Sequence, residues 1–210
     1  MSTINADNLT VQNLTVSGTL AYTDVTAQLG LPAAPSAGTQ MERFYVPCRG
    51  QSVTVPSGTY TIENVIEKLI VNTNSVTSQD VTGSSISYVP PAGTKTVIYE
   101  FDMLASRQGD VVPILSLALF VDGTEVLYAR NVYSVYEGNN MINFKWAFEI
   151  GGTPDTNYGI YDTWTTAKTI KLGCARHADN NEVELHETYY WENSTSAQFH
   201  APRIGITALA

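Results

Sequence analysis

A chain of 210 residues has room for one domain and an appendage but not for two full enzyme domains. Thr, Val, Ile and Tyr supply 69 of those residues, a strand-forming excess that excludes an all-helical protein. The net charge of −9 repels phosphate backbones and anionic lipid surfaces, which makes nucleic acid and membranes poor partners. Only 15% of residues are charged, against ~25% in ordinary soluble domains, so the surface is neutral and rich in hydroxyl and amide groups.

The first twenty residues, MSTINADNLTVQNLTVSGTL, contain neither a basic leader nor a long apolar run and do not read as a secretory signal. They carry a repeat instead, NLTVQ at 8–12 followed by NLTVS at 13–17, with Ile4 and Leu20 extending the apolar series. Leu9 and Val11 share one strand face, as do Leu14 and Val16, and a bend at Gln12-Asn13 would bring both pairs to one side. So few apolar side chains cannot form a core, and the segment needs copies of itself or a partner surface. The alternative is a loose chain terminus. Residues 29–40, LGLPAAPSAGTQ, have linker composition. The expected organisation is therefore an N-terminal arm at 1–28, a linker at 29–40 and a β head at 41–210.

Past the linker, strand-like runs alternate with turn signals. The runs are 44–48, 52–56, 75–81, 85–89, 96–104, 114–121, 124–136, 143–150, 169–177, 183–192 and 203–210. Asp122-Gly123 predicts a two-residue hairpin. Gly138-Asn139-Asn140 and Asp179-Asn180-Asn181 mark further turns, and Pro90-Pro91-Ala92-Gly93 forces a non-helical corner. Val65, Ile66, Leu69 and Ile70 stand at helical spacing while Ile62, Asn64 and Ile66 alternate, so 63–71 fits a helix or a strand. Many short strands at these intervals predict an all-β sandwich or jelly roll.

Reactive constellations are hard to find. Cys48 and Cys174 are isolated, and a chain without a secretory signal favours reduced thiols. HETYY at 186–190 lacks the second His of a two-His zinc helix. Glu182, Glu184, His186 and Tyr190 alternate with Val183, Leu185 and Tyr189, the pattern of a half-exposed strand. His177, Asp179 and Glu182 offer donors in one turn, but acidic turns are commonplace, and no metal site is assigned. Nucleotide-binding loops and the serine elbow are missing, and no cofactor is implied. The polar loop GGTPDTNYGIYDTW at 151–164 carries Tyr158, Tyr161 and Trp164, which could stack on a glycan or a partner, or simply fasten the loop down. Asp155 and Asp162 flank its aromatic stretch, and with Glu182 they are the acids a polysaccharide-cleaving activity would use.

The NLTV-type repeat with a following glycine, NLTVQNLTVSGTL, resembles the β-spiral or anchor segments of tailed-bacteriophage virion proteins, marine phages especially. The stretches GSSISYVPPAGTKTVIYEF at 83–101, LALFVDGTEV at 117–126 and the terminal PRIGITALA are similar to trimeric jelly-roll heads of the tumour-necrosis-factor or C1q-like shape. The resemblance implies a homotrimer that binds a major capsid protein or another shell protein through Ile4, Leu9, Val11, Leu14, Val16 and Leu20 and sits on the outer surface of the capsid. The expectation is a non-enzymatic decoration or short head-fibre protein; the alternative is a tail-fibre knob or adhesin that binds host-surface glycan through 151–164.

Overall fold

The computed structural model describes residues 35–108, 114–135, 140–178, 182–188 and 197–210. The arm residues Ile4, Leu9, Val11, Leu14, Val16 and Leu20, the turn at 179–181 and the residues Tyr189 and Tyr190 lie outside them. The compact unit spans Ser36–Ala210. Its strands, in chain order, are β1 (Gln40–Pro47), β2 (Ser52–Val55), β3 (Gly58–Thr61), β4 (Leu69–Val71), β5 (Ile86–Tyr88), β6 (Thr96–Gln108), β7 (Ile114–Val121) and β8 (Thr124–Glu125). One turn of 3-10 helix at Leu127–Ala129 leads to β9 (Asn131–Ser134), β10 (Asn140–Ile150), β11 (Ile160–Tyr161), β12 (Lys168–Arg176), β13 (Glu182–Leu185), β14 (Glu187–Thr188), β15 (Gln198–Phe199) and β16 (Arg203–Leu209).

Two sheets face one another. In the first, the neighbours run β1-β16-β6-β10; in the second they run β5-β12-β7, with β8 and β9 both paired to β7. If the eight principal strands β1, β5, β6, β7, β9, β10, β12 and β16 are counted one to eight along the chain, the sheets read 1-8-3-6 and 2-7-4-5. That interleaving, all of it antiparallel, is the jelly roll. Short additions enlarge the frame: β13 pairs with β6 beyond the end of β16 and brings β4 with it.

Period-two alternation places the core between the sheets. Ile142, Phe144 and Phe148 of β10 point inward and are buried, whereas Asn143, Lys145 and Glu149 are exposed. Val97, Tyr99, Phe101 and Met103 do the same on β6, and Leu115, Leu117 and Leu119 of β7 meet them from the second sheet with Ile170 and Leu172. The Asp122-Gly123 hairpin forms as predicted, with φ of 50° and 80°, the doubly left-handed turn that matches strand twist.

Three expected strands differ. Residues 75–81 form no strand: Asp80 makes a single antiparallel bridge to Gly173 at the edge of β12, and the turn before it folds over the outer face and lays the Val76 carbonyl over Gly173 beside Phe120. Cover on both faces explains why β7 reads as a continuous apolar run. The run at 124–136 breaks at the 3-10 turn into β8 and β9. That at 183–192 breaks at His186, whose φ of 66° reverses the alternation. Between the two readings of 63–71, only Leu69–Val71 is regular, and it is a strand. Cys48 and Cys174 are buried free thiols, each pushed up to about 12 by burial.

A Cβ at Gly173 would stand 2.0 Å from the Val76 carbonyl oxygen. Gly173→Ala must therefore lift the covering segment, at a cost of about 2–3 kcal/mol by the usual scale of overpacking. Chemical denaturation measures that cost. Hydrogen exchange locates it at the amides of Cys174 and Arg176, which donate to the carbonyls of Gln79 and Thr73 at 2.9 and 2.8 Å. Wild-type exchange in the variant would mean that the segment does not rest on Gly173.

Candidate functional site

The loop at 151–164 is held from within. The backbone N–H groups of Asp155 and Ile160 each donate to the other's carbonyl, and the Asp155 carboxylate accepts from the Asn157 N–H at 3.0 Å. Gly159 has a φ of 73°, and a Cβ there would lie 2.7 Å from the Phe148 ring, so the turn closes only around glycine. β11 then runs parallel to the end of β10. Trp164 is buried, donates its indole N–H to the Tyr88 carbonyl at 3.1 Å and packs edge-on against Phe148 and Tyr161 at 5.5 and 5.3 Å. It has no face to offer a ligand and anchors the loop instead. Tyr161 is half-buried under the Lys168 ammonium, 5.0 Å from its ring centre, and burial pushes its phenol up to about 12.

Tyr158 turns the other way. Its ring is 51% exposed and lies 4.4 Å from that of Tyr128, itself 55% exposed, with the two planes inclined at 43°. Tyr128 belongs to the 3-10 turn after β8, and its N–H donates to the Asn157 carbonyl at 3.0 Å. The Trp146 indole holds the Tyr158 carbonyl at 3.3 Å. The structure thus divides the three aromatics of the loop: one is core, one is intermediate, and one joins a tyrosine that no sequence signal tied to it.

The acids of this loop have local duties. Asp155 closes its own turn, and the exposed Asp162 accepts from the Thr163 N–H at 2.8 Å. His177 is exposed at the end of β12; Asp179 and the side chain of Glu182 lie outside the described residues. Among the described residues, no three His, Cys, Asp or Glu side chains stand close enough to hold a metal ion. Open hollows of about 410 and 200 Å³ mark the outer faces of the second and first sheets. The larger is floored by Ser116, Ala118 and Ala175 and the smaller by Tyr45, Glu100 and Asp102.

A polar cluster that the sequence placed on a half-exposed strand is in fact buried. Glu184 is 1% exposed, and its carboxylate lies 2.6 Å from the Lys68 ammonium, which also lies 3.0 Å from Glu187. The Lys68 ammonium is held above its ordinary range, chiefly by its hydrogen bond to Glu184. His186 is fully buried, shares a 3.1 Å hydrogen bond with the Thr82 hydroxyl and meets Phe101 edge-on at 6.4 Å. The left-handed turn at His186 is the reason that both Glu184 and Glu187 reach Lys68. One ammonium between two carboxylates ties the segment before β4 to β13 and β14.

No protein-family model matches the chain, and no curated protein is similar to it in sequence. Among solved structures it is similar to a chain in the structure of infectious bursal disease virus, Gx strain, at 12% identity and a TM-score of 0.36, covering 74% of this chain and 36% of that one. It is also similar to the C-terminal domain of EclA, a sugar-binding protein, at 9% identity and a TM-score of 0.32, covering 69% and 86%. A third similarity is to VP2 in a subviral particle of infectious bursal disease virus, at 10% identity and a TM-score of 0.27, covering 76% and 46%. This chain spans about a third of the length of the first of these, and likenesses at such scores bear on neither its activity nor its partners.

Burial lowers the His186 imidazole from its ordinary 6.5 to about 4, and burial also lowers that of His200, whose N–H donates to the His186 carbonyl. Between these pH values the unfolded chain binds more protons than the folded one. Stability is therefore full above pH 6.5 and is lost as the pH falls toward 4, by about 3 kcal/mol for His186 alone. His186→Asn, which tolerates the left-handed backbone, should flatten that slope when urea midpoints are compared at pH 7, 6 and 5. An equal slope in the variant would remove His186 as its source.

Proposed function

We propose that this chain is a non-enzymatic structural protein of a bacteriophage virion. It is a homotrimeric decoration or short head-fibre protein, anchored by its N-terminal arm to a shell protein on the outer capsid surface. The observation that carries the reading is the repeat NLTVQNLTVSGTL, N-terminal to a compact unit that begins at Ser36. Its apolar stripe of Ile4, Leu9, Val11, Leu14, Val16 and Leu20 has too few members to bury itself and requires either identical copies or a shell surface. The jelly-roll strand order supports the reading from the other side, because two packed antiparallel sheets make a firm head that can be carried on an arm. The acids Asp155 and Asp162, committed to their own loop, support a non-catalytic head.

Sedimentation equilibrium of the full chain is expected to give three times the 22.9 kDa chain mass, and a monomer at micromolar concentration would remove the trimer. Leu14→Asp places a charge in the stripe at a cost of several kcal/mol wherever the stripe is buried. The variant should lose binding to particles stripped of this protein while the head keeps its melting temperature. Wild-type occupancy by the variant would show that the arm is not the anchor.

A further inference from the structure

We propose that the paired rings of Tyr128 and Tyr158 form a carbohydrate platform that takes the C–H face of a neutral pyranose. The rings come from two separate segments, the 3-10 turn at Leu127–Ala129 and the loop at 151–164, and meet at 4.4 Å with both still more than half exposed. Leu127 beside them is 38% exposed, which extends the apolar surface.

The platform is fixed before any ligand arrives. Backbone hydrogen bonds from Tyr128 to Asn157, from Tyr158 to Asp155 and from Gly159 to Thr156, with the side-chain bond from the Trp146 indole to the Tyr158 carbonyl, set both ring-bearing segments. The glycine turn at Gly159 and the buried Trp164 hold the loop that carries them. Two tyrosines need few torsions frozen on binding, so a rigid pair of this kind loses little entropy when it is covered.

Size selects the class of partner. About half of the ~200 Å² of each tyrosine is open, roughly 200 Å² in all, far short of the ~800 Å² per partner of a stable protein interface. A single sugar ring matches it. Charge narrows the class further: Asp155 and Asp162 lie in the same loop of a chain with net charge −9, which disfavours acidic sugars and nucleotides. Sugar hydroxyls find amide and hydroxyl partners in the adjacent Asn157 and Thr156, both exposed. A quaternary ammonium ion would use the same ring faces, but two rings splayed at 43° form an open wedge and not a cage. The platform lies within one chain, so this inference stands or falls independently of the arm and the trimer.

The test is binding of the labelled full chain to an array of neutral glucose, galactose, mannose and N-acetylhexosamine oligosaccharides, followed by equilibrium dialysis with the best of them. Tyr128→Ala and Tyr158→Ala should each weaken binding at least tenfold with unchanged melting temperature, while Tyr158→Phe, which keeps the ring, should bind within about threefold of wild type. The proposal is overturned if no neutral saccharide binds, if both alanine variants bind as the wild type does, or if Tyr158→Phe loses as much as Tyr158→Ala. Tetramethylammonium binding in place of every sugar would likewise overturn it and mark a cation site.

Discussion

β6 is hydrogen-bonded along both edges, and the rest of the head is arranged around that fact. β10 pairs with it from Thr96 to Ala105 on one side; on the other, β16 covers Thr96 to Asp102 and β13 takes over from Ala105 to Gln108. A strand so enclosed leaves none of its middle amides to water, and its inward residues Val97, Tyr99, Phe101 and Met103 are completely buried. The handover from β16 to β13 falls between Asp102 and Ala105. His186 marks it, with its N–H donating to the Leu104 carbonyl and its backbone in the left-handed region.

Polar groups are buried on both sides of that handover, and most are answered by a partner, although the buried Nδ1 of His186 has none among the described residues. Lys68 meets Glu184 and Glu187 near the handover. Near the β1 edge, the buried Glu42 accepts from the Ser57 N–H and hydroxyl at 2.9 and 2.6 Å and from the Tyr88 phenol, while Tyr60 donates to the Val89 carbonyl. Burial first and the hydrogen bond to Glu42 second hold the Tyr88 phenol well above its ordinary range. A buried charge left without such partners costs several kcal/mol, which makes these clusters determinants of one packing among the alternatives.

The corner bearing Tyr128 and Tyr158 depends on the same scaffold. Tyr88 receives the Trp164 indole on its carbonyl, Trp164 fastens the loop at 151–164, and the loop presents Tyr158. A surface ring is thus positioned by a chain of contacts that begins in the core. Functional residues on loops gain their precision from such anchoring, and here the anchor is a residue of the loop itself.

The alternation of Ile142, Phe144 and Phe148, the continuous apolar run of β7 and the Asp122-Gly123 hairpin were legible along the chain, because side-chain period and turn conformation depend on near neighbours. From these the all-β sandwich follows. Which strands adjoin, and what lies over their outer faces, depends on segments far apart in sequence. Residues 75–81 had strand composition, yet Gly173 opens a space that their backbone fills. Glu184 and His186 had the spacing of an exposed face, yet both are buried, against Lys68 and Thr82, and the left-handed His186 brings Glu187 to the same ammonium. Trp164 and Tyr158 looked alike as loop aromatics; the core took one, and Tyr128, thirty residues earlier, met the other. Composition and periodicity determined that this chain builds strands with one apolar face. Only the tertiary structure decided which polar groups are buried and which rings are left to water, because those outcomes are set by long-range packing that no local pattern encodes.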